Sequence, residues 1–416
     1  MNVGNTVHEI FGRLPEKAAL YSEPALNQPL YTNLHVHLPP NFGSIQSIDD
    51  AIAHAKQEQI VVLGASNYYD HTIYTTFAQA AVKAGIIPVF GVEVLTMDEA
   101  LQAGGILTND PKNPGKLYIC GKGLTRFDDL DDATLVIWQK IRSGDAQRIE
   151  QMIDRLNQID FLGQCEIRLQ YDVIAQTVAE EKRVPVHTVF LQERHLVQAL
   201  QQAIWEHIPE KDRAAWLQQL YGVQNAIEAE DVVKVQNDLR TYLLKQGRAA
   251  YVDECFVSPE EAAQLILGLG GYVSYPALID GAPSISPFEG PPEVLVEHLL
   301  ERKIPAAEVI PTRNNLDTLT LYVKTLRAYG IAVGAGTEHN DAVWLPLLPH
   351  CKRNVPLSDE LLSIFWEGAC VAVAHQYLQA KGAEKGVRFL PDAAARHSQI
   401  QELAAIGASV IATFTN

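Results

Sequence analysis

The chain has 416 residues, of which 47% are hydrophobic and 20% charged, and its formal net charge is −17. That length and apolar content support a large buried core, arranged as one α/β domain with additions or as two domains. The acidic balance, with Asp and Glu spread along the chain, argues against a broad nucleic-acid face and an anionic membrane surface while leaving room for one local basic pocket. Cys120, Cys165, Cys255, Cys351 and Cys370 are scattered, show no C-x-x-C spacing, and fit reduced thiols with no metal role. Met1 to Leu20 carries Glu9 and Glu16 and lacks an apolar stretch, so no signal peptide is expected. No apolar run reaches the ~18 residues of a spanning helix, and the expectation is a soluble, cytoplasmic protein.

In chain order, Leu34-His35-Val36-His37-Leu38 alternates and reads as a strand with both imidazoles on one face. Two such side chains at a strand end are a ready pair of metal ligands; two partly exposed histidines on an edge strand are the bland alternative. Ser47 is a good N-cap for a helix over Ile48 to Gln57, and Ile60 to Ala65 is continuously apolar, as buried parallel strands are. A helix over 74–84 stops at Gly85, and the strand 86–93 ends in Glu93. Leu117 to Gly121 is a further strand, with Lys122 read as a loop residue. From about 128 to 245 the chain is helical, with helices expected at 132–142, 145–158, 194–208, 213–221 and 231–246.

The α/β pattern resumes with a helix start at Ser258-Pro259-Glu260-Glu261 and a strand over 270–276. A helix at 292–302, a strand at 307–310, a helix at 316–329 and a strand at 331–334 follow, ending in Gly336-Thr337-Glu338-His339-Asn340. The remainder is mostly helical. These elements predict a strand–helix barrel in two parts, 30–127 and 250–345, split by a helical insertion at 128–249 and flanked by extensions at 1–29 and 346–416. In such barrels the C-terminal strand ends build the site. His35, His37, Ser66-Asn67-Tyr68, Glu93, Tyr118, Tyr275 and Glu338 all fall at expected strand ends.

Six landmarks in order, L-H-V-H, V-V-L-G-A-S-N-Y, V-F-G-V-E, L-Y-I-C-G, G-G-Y-V-S-Y-P and V-G-A-G-T-E-H-N, resemble the polymerase-and-histidinol-phosphatase (PHP) family of metal-dependent phosphoesterases. The resemblance covers roughly residues 30–130 and 245–345, and it implies a distorted TIM-like (β/α)7 barrel. The stretch Glu193 to Leu200, and Ala250-Tyr251-Val252 ahead of Ser258, also resemble insertions in the small phosphatase and nuclease branch. Members hold up to three metals. The first site takes both histidines of H-x-H, a Glu after the third strand and a late Asp; here these positions are His35, His37, Glu93 and Glu338. Positions where the second site would add two histidines carry Tyr118 and Tyr275. Those of the third carry Phe42, Tyr68 and Asn340. The resemblance therefore implies one retained divalent ion, Zn2+, Mn2+ or Fe2+. The three tyrosines either fill vacated metal volume, contact substrate together with Asn67 and Asn340, or ligate a ferric ion as phenolates.

Arg313, with Asn314 and Asn315 at an expected C-terminal strand end, suits a phosphate or carboxylate. Arg194-His195 falls where the resemblance brings the insertion to a substrate phosphate, and it also reads as a plain helix N-terminus. Asp70-His71 is either an acid–base pair or a solvated turn. His339 can replace Glu338 as a ligand if Glu338 points away. The candidate catalytic residues are thus Arg313, His195 and His71. The leading expectation is a metal-dependent phosphoesterase acting on a small anionic substrate. The alternative is a non-catalytic PHP-like protein that binds a metal or ligand, with a nucleic-acid-processing role third.

Overall fold

The structure, a computed structural model, describes residues 6–16, 29–127, 130–382 and 386–415. Most of the expected 1–29 extension and the expected boundary at 128 lie outside the described residues. Two compact units are present: Met1–Leu38, Ile45–Trp138 and Phe256–Asn416 form the first, Pro39–Ser44 and Gln139–Cys255 the second.

In the first unit, seven strands form one sheet in the order β1 (Tyr31–Val36), β2 (Ile60–Ala65), β3 (Ile87–Met97), β4 (Lys116–Lys122), β5 (Tyr272–Ala277), β6 (Ala306–Val309) and β7 (Ala332–Ala335). The edges meet beyond β7, where the His37 amide donates to Glu338 O at 2.8 Å and the Glu338 amide to His35 O at 2.8 Å. The result is a nearly closed α/β barrel of the distorted TIM-like kind. Strands β1–β3 and β5–β7 are parallel, but β4 runs antiparallel to both neighbours. The only described helix between β3 and β4 is Glu99–Ala103, five residues long, so that connection lacks the full crossover helix a parallel pairing normally uses. Tyr118 consequently sits near the start of β4, opposite Leu95, rather than at its C-terminal end.

Local chemistry places the helices. Ser47 accepts from the Asp50 amide and starts Ile48–Gln57, and a Ser258/Glu261 capping box starts Pro259–Gly268. Two long helices, Asp359–Ala380 and Ala393–Thr415, pack on one another, the first also lying along β7 and β1. Gly368 allows that approach, because a Cβ there would overlap the Val333 carbonyl oxygen.

The second unit is helical. The two helices expected over 132–158 are one, Asp132–Asn157, which belongs to this unit from Gln139 on, and Tyr171–Lys182 is an additional helix. Leu156, Leu196, Leu200, Ile204 and Leu239 are among the residues of its core. Glu193 is buried there and takes Arg148, Arg240 at 2.6 Å and Lys245 at 2.9 Å, so a costly buried carboxylate is answered by three cations.

His375 is buried in the first unit, its Nδ1 accepting from the Val387 amide at 2.9 Å and its Nε2 donating to Gly270 O at 3.0 Å. Burial pushes its pKa down to about 4, against about 6.5 in an unfolded chain. Between those values the unfolded chain binds a proton that the folded one refuses. This contribution is therefore full above pH 6.5 and is lost as pH falls towards 4. Urea midpoints should drop from pH 7 to pH 4.5, and the drop should be shallower in His375→Gln; an identical slope in the variant would contradict the assignment.

Candidate metal centre

The alternation of β1 sends His35 inward, and His37 follows one residue beyond the strand on the same side. Both are buried. Their Nε2 atoms lie 3.4 Å apart, and Glu93 Oε2 lies 3.4 Å from His35 Nε2 and 3.2 Å from His37 Nε2. A carboxylate oxygen of Glu338 completes a set of four donors mutually within 4.8 Å. A tetrahedral shell with bonds of about 2.0–2.1 Å has edges of about 3.3–3.4 Å, so the spacing of the three nearest donors fits such an ion. Two carboxylates, Glu93 and Glu338, stand beside the histidines, and the Arg313 guanidinium pairs with Glu338. Burial works against charge on Glu93, yet its proximity to His35 and His37 holds its carboxyl well below the usual range.

Backbone geometry around the set is unusual. Glu338 and His339 have φ of 66° and 61°, a left-handed region that non-glycine residues seldom adopt. The hydrogen bonds to β1 hold Glu338 in this conformation. Its carboxylate is in ion-pair contact with Arg313. His339 is turned away, with Nδ1 at 2.9 Å from Thr337 Oγ1 and Nε2 donating to Leu345 O at 2.7 Å, so it does not replace Glu338 in the cluster.

A cavity of 350 Å3 opens over these groups, lined among others by His35, Tyr68, Glu93, Tyr118, Arg313, Glu338 and Asn340. Tyr68 stacks on His37, ring centroids 4.8 Å apart and planes 10° apart. Burial and then Glu93 push its hydroxyl well above the usual phenol range. Tyr118 also reaches the cavity, on the inward face of β4 that Cys120 and Lys122 share.

Tyr275 does not join them. On β5 the inward parity belongs to Tyr272, Ser274 and Pro276, which line interior cavities. Tyr275 points outward, packs on Phe288 at 5.6 Å and donates to Glu289 at 3.1 Å. A one-residue offset in a strand reverses the face. Asn67 is also engaged elsewhere: its side chain accepts from the Leu38 amide at 2.8 Å and donates to Leu38 O at 2.9 Å, fixing the chain just after His37.

Of the three candidate catalytic residues, Arg313 lines the cavity. His71 is stacked on Trp138 at 4.8 Å beside Phe127 and is not among the lining residues. Asp70 accepts from the Thr72 amide and hydroxyl, as a turn residue does. His195, in the second unit, accepts from the Gln192 amide at 3.0 Å in a capping box and meets the Phe42 ring edge-on. Burial pushes its pKa down to about 3, leaving it neutral near pH 7.

Two residues beside the cluster escaped the sequence reading. Glu308, inside β6, lies 3.2 Å from His35 Nδ1, and Lys122 is a buried strand residue rather than a loop one. Charged residues inside short apolar runs were the available signal. Asn109 was missed too; it bonds the Tyr118 amide and carbonyl and Pro276 O, stapling β4 to β5 at the cavity rim.

No family model matches the chain, and a search of curated proteins finds no match. Among solved structures, a candidate metal-dependent phosphoesterase from Bifidobacterium adolescentis is similar, with a TM-score of 0.51 and 14% identity over 82% of this chain and 96% of that one. An amidohydrolase from Chromobacterium violaceum, solved with bound sulfate and no metal, has a TM-score of 0.49 and 18% identity over 80% of this chain and 96% of that one. At these identities the likeness concerns the fold.

Gly336 tests the geometry. A Cβ there would overlap the His35 Cβ and lie 2.9 Å from its Cα. Gly336→Ala should cost about 1–3 kcal/mol by overpacking, read as a lower urea midpoint; an unchanged midpoint would contradict the packing described.

Proposed function

We propose that the chain is a metal-dependent hydrolase of the PHP type, working on a small anionic substrate, most simply a phosphate ester. The observation that carries this reading is the convergence of His35, His37, Glu93 and Glu338 at the floor of a cavity of small-molecule size. On this reading those four residues hold one ion. When bound, it supplies Lewis acidity and a hydroxide nucleophile near neutral pH. Arg313 offers planar, bidentate donors to phosphate oxygens and answers the charge that builds on the departing oxygen. Tyr68, Tyr118 and Asn340 are neutral hydrogen-bonding groups that orient the substrate. The candidate phosphoesterase among the structural neighbours supports this choice of reaction class.

One observation favours a second reading, a binding protein without turnover: the fourth donor, Glu338, is already engaged by Arg313. Metal analysis of untagged protein combined with a screen of phosphomonoesters, phosphodiesters and small amides separates the two. The hydrolase reading expects one equivalent of metal and metal-dependent turnover. Glu93→Gln should lose both, whereas Arg313→Ala should keep the metal and lose about a hundredfold in rate. Metal-loaded protein inactive across the whole screen would support the binding reading.

A further inference from the structure

Beneath the four donors lies a buried polar group that a barrel interior does not need for stability. Lys122 Nζ is 2.6 Å from Glu308 Oε2, 2.6 Å from Ser66 Oγ and 2.9 Å from Leu34 O. Glu308 Oε1 in turn lies 3.2 Å from His35 Nδ1. Lys122, Glu308 and His35 are each only 1–3% exposed. A buried ion pair is often no more stable than apolar side chains of the same volume, so its presence calls for another explanation.

We propose that Glu308 and Lys122 are positioning residues for the metal centre, orienting His35 so that its Nε2 lone pair faces the other three donors. The inference rests on the metal-centre reading given above. Donor accounting carries it. The three N–H groups of Lys122 have three oxygen neighbours, on Leu34, Ser66 and Glu308. Its Nζ is 3.5 Å from His35 Nδ1, and that nitrogen instead faces a carboxylate oxygen. Glu308 Oε1, at 3.2 Å, is nearer to Nδ1 than the ammonium is, which places Nδ1 to donate its proton to the carboxylate. With Nδ1 turned to Glu308, Nε2 is the ring nitrogen directed at the other donors, the one a metal would take. Lys122 supplies the countercharge and holds Glu308 at the distance where it meets the ring. The same ammonium occupies the neighbouring group of His35, Cys120 and Glu308, whose donors otherwise lie close enough for an ion.

The test uses the whole chain and Zn2+, with affinity measured by chelator competition. In Lys122→Met/Glu308→Leu both charges are replaced by apolar groups of similar volume. The double variant should keep its thermal midpoint within a few degrees while binding Zn2+ about 10- to 100-fold more weakly. A purely structural pair would move the midpoint and leave affinity unchanged. Affinity within about twofold of wild type in folded double variant overturns the proposal. Imidazole 15N shifts of His35 in metal-free wild type judge it independently of any variant: a proton on Nδ1 supports it, and a ring protonated at Nε2 alone overturns it. Wild type that binds no Zn2+ while showing protonated Nδ1 removes the metal-centre reading, and the metal role of the pair with it, but leaves the orientation of His35 in place.

Discussion

A single ammonium inside the barrel ties the site together. Lys122 projects from β4 and reaches the β1 carbonyl of Leu34, Ser66 just beyond β2, and Glu308 on β6. An unpaired charge at that depth would cost several kcal/mol, so each partner is constrained to stay where the lysine is satisfied. The antiparallel course of β4 makes this possible. It brings Tyr118, Cys120 and Lys122 in turn along one inward face, with Tyr118 at the cavity and Lys122 below it. His35 lies between the two levels, one ring nitrogen on Glu308 and the other among the four donors.

Closure of the sheet is the second constraint. The bridge between Val36 and Glu338 brings a residue from beyond β7 to the histidines on β1, using backbone hydrogen bonds that hold two consecutive left-handed residues. Strain of this kind persists only where surrounding structure over-determines it, and it concentrates at functional sites. The Glu338 carboxylate stands within the donor cluster and is at the same time in ion-pair contact with Arg313.

Much of this was legible in the sequence because it depended on local pattern. The alternation around His35 and His37, the Ser47 cap and the apolar run before Glu93 each specify an element, and the strand–helix order specifies a barrel. The expected donors His35, His37, Glu93 and Glu338 do lie together. Legibility failed where tertiary context decides. Tyr275 was aligned by motif, but strand parity sends it outward. Lys122 looked like a loop residue and Glu308 drew no notice, because the two are 186 positions apart in sequence and meet only across the barrel. His195 and His71 were chosen for chemical type, whereas their surroundings, a helix cap and an aromatic stack, give them packing tasks. The direction of β4 depended on a connection whose length alone permits either course.

The central claim is that one ion sits at the meeting point of His35, His37, Glu93 and Glu338. Anomalous diffraction at the zinc edge from crystals grown with Zn2+ tests it most directly. The account predicts one strong peak about 2.0–2.2 Å from His35 Nε2, His37 Nε2 and oxygens of Glu93 and Glu338. No peak in the cavity, or a peak coordinated by other residues, would contradict it.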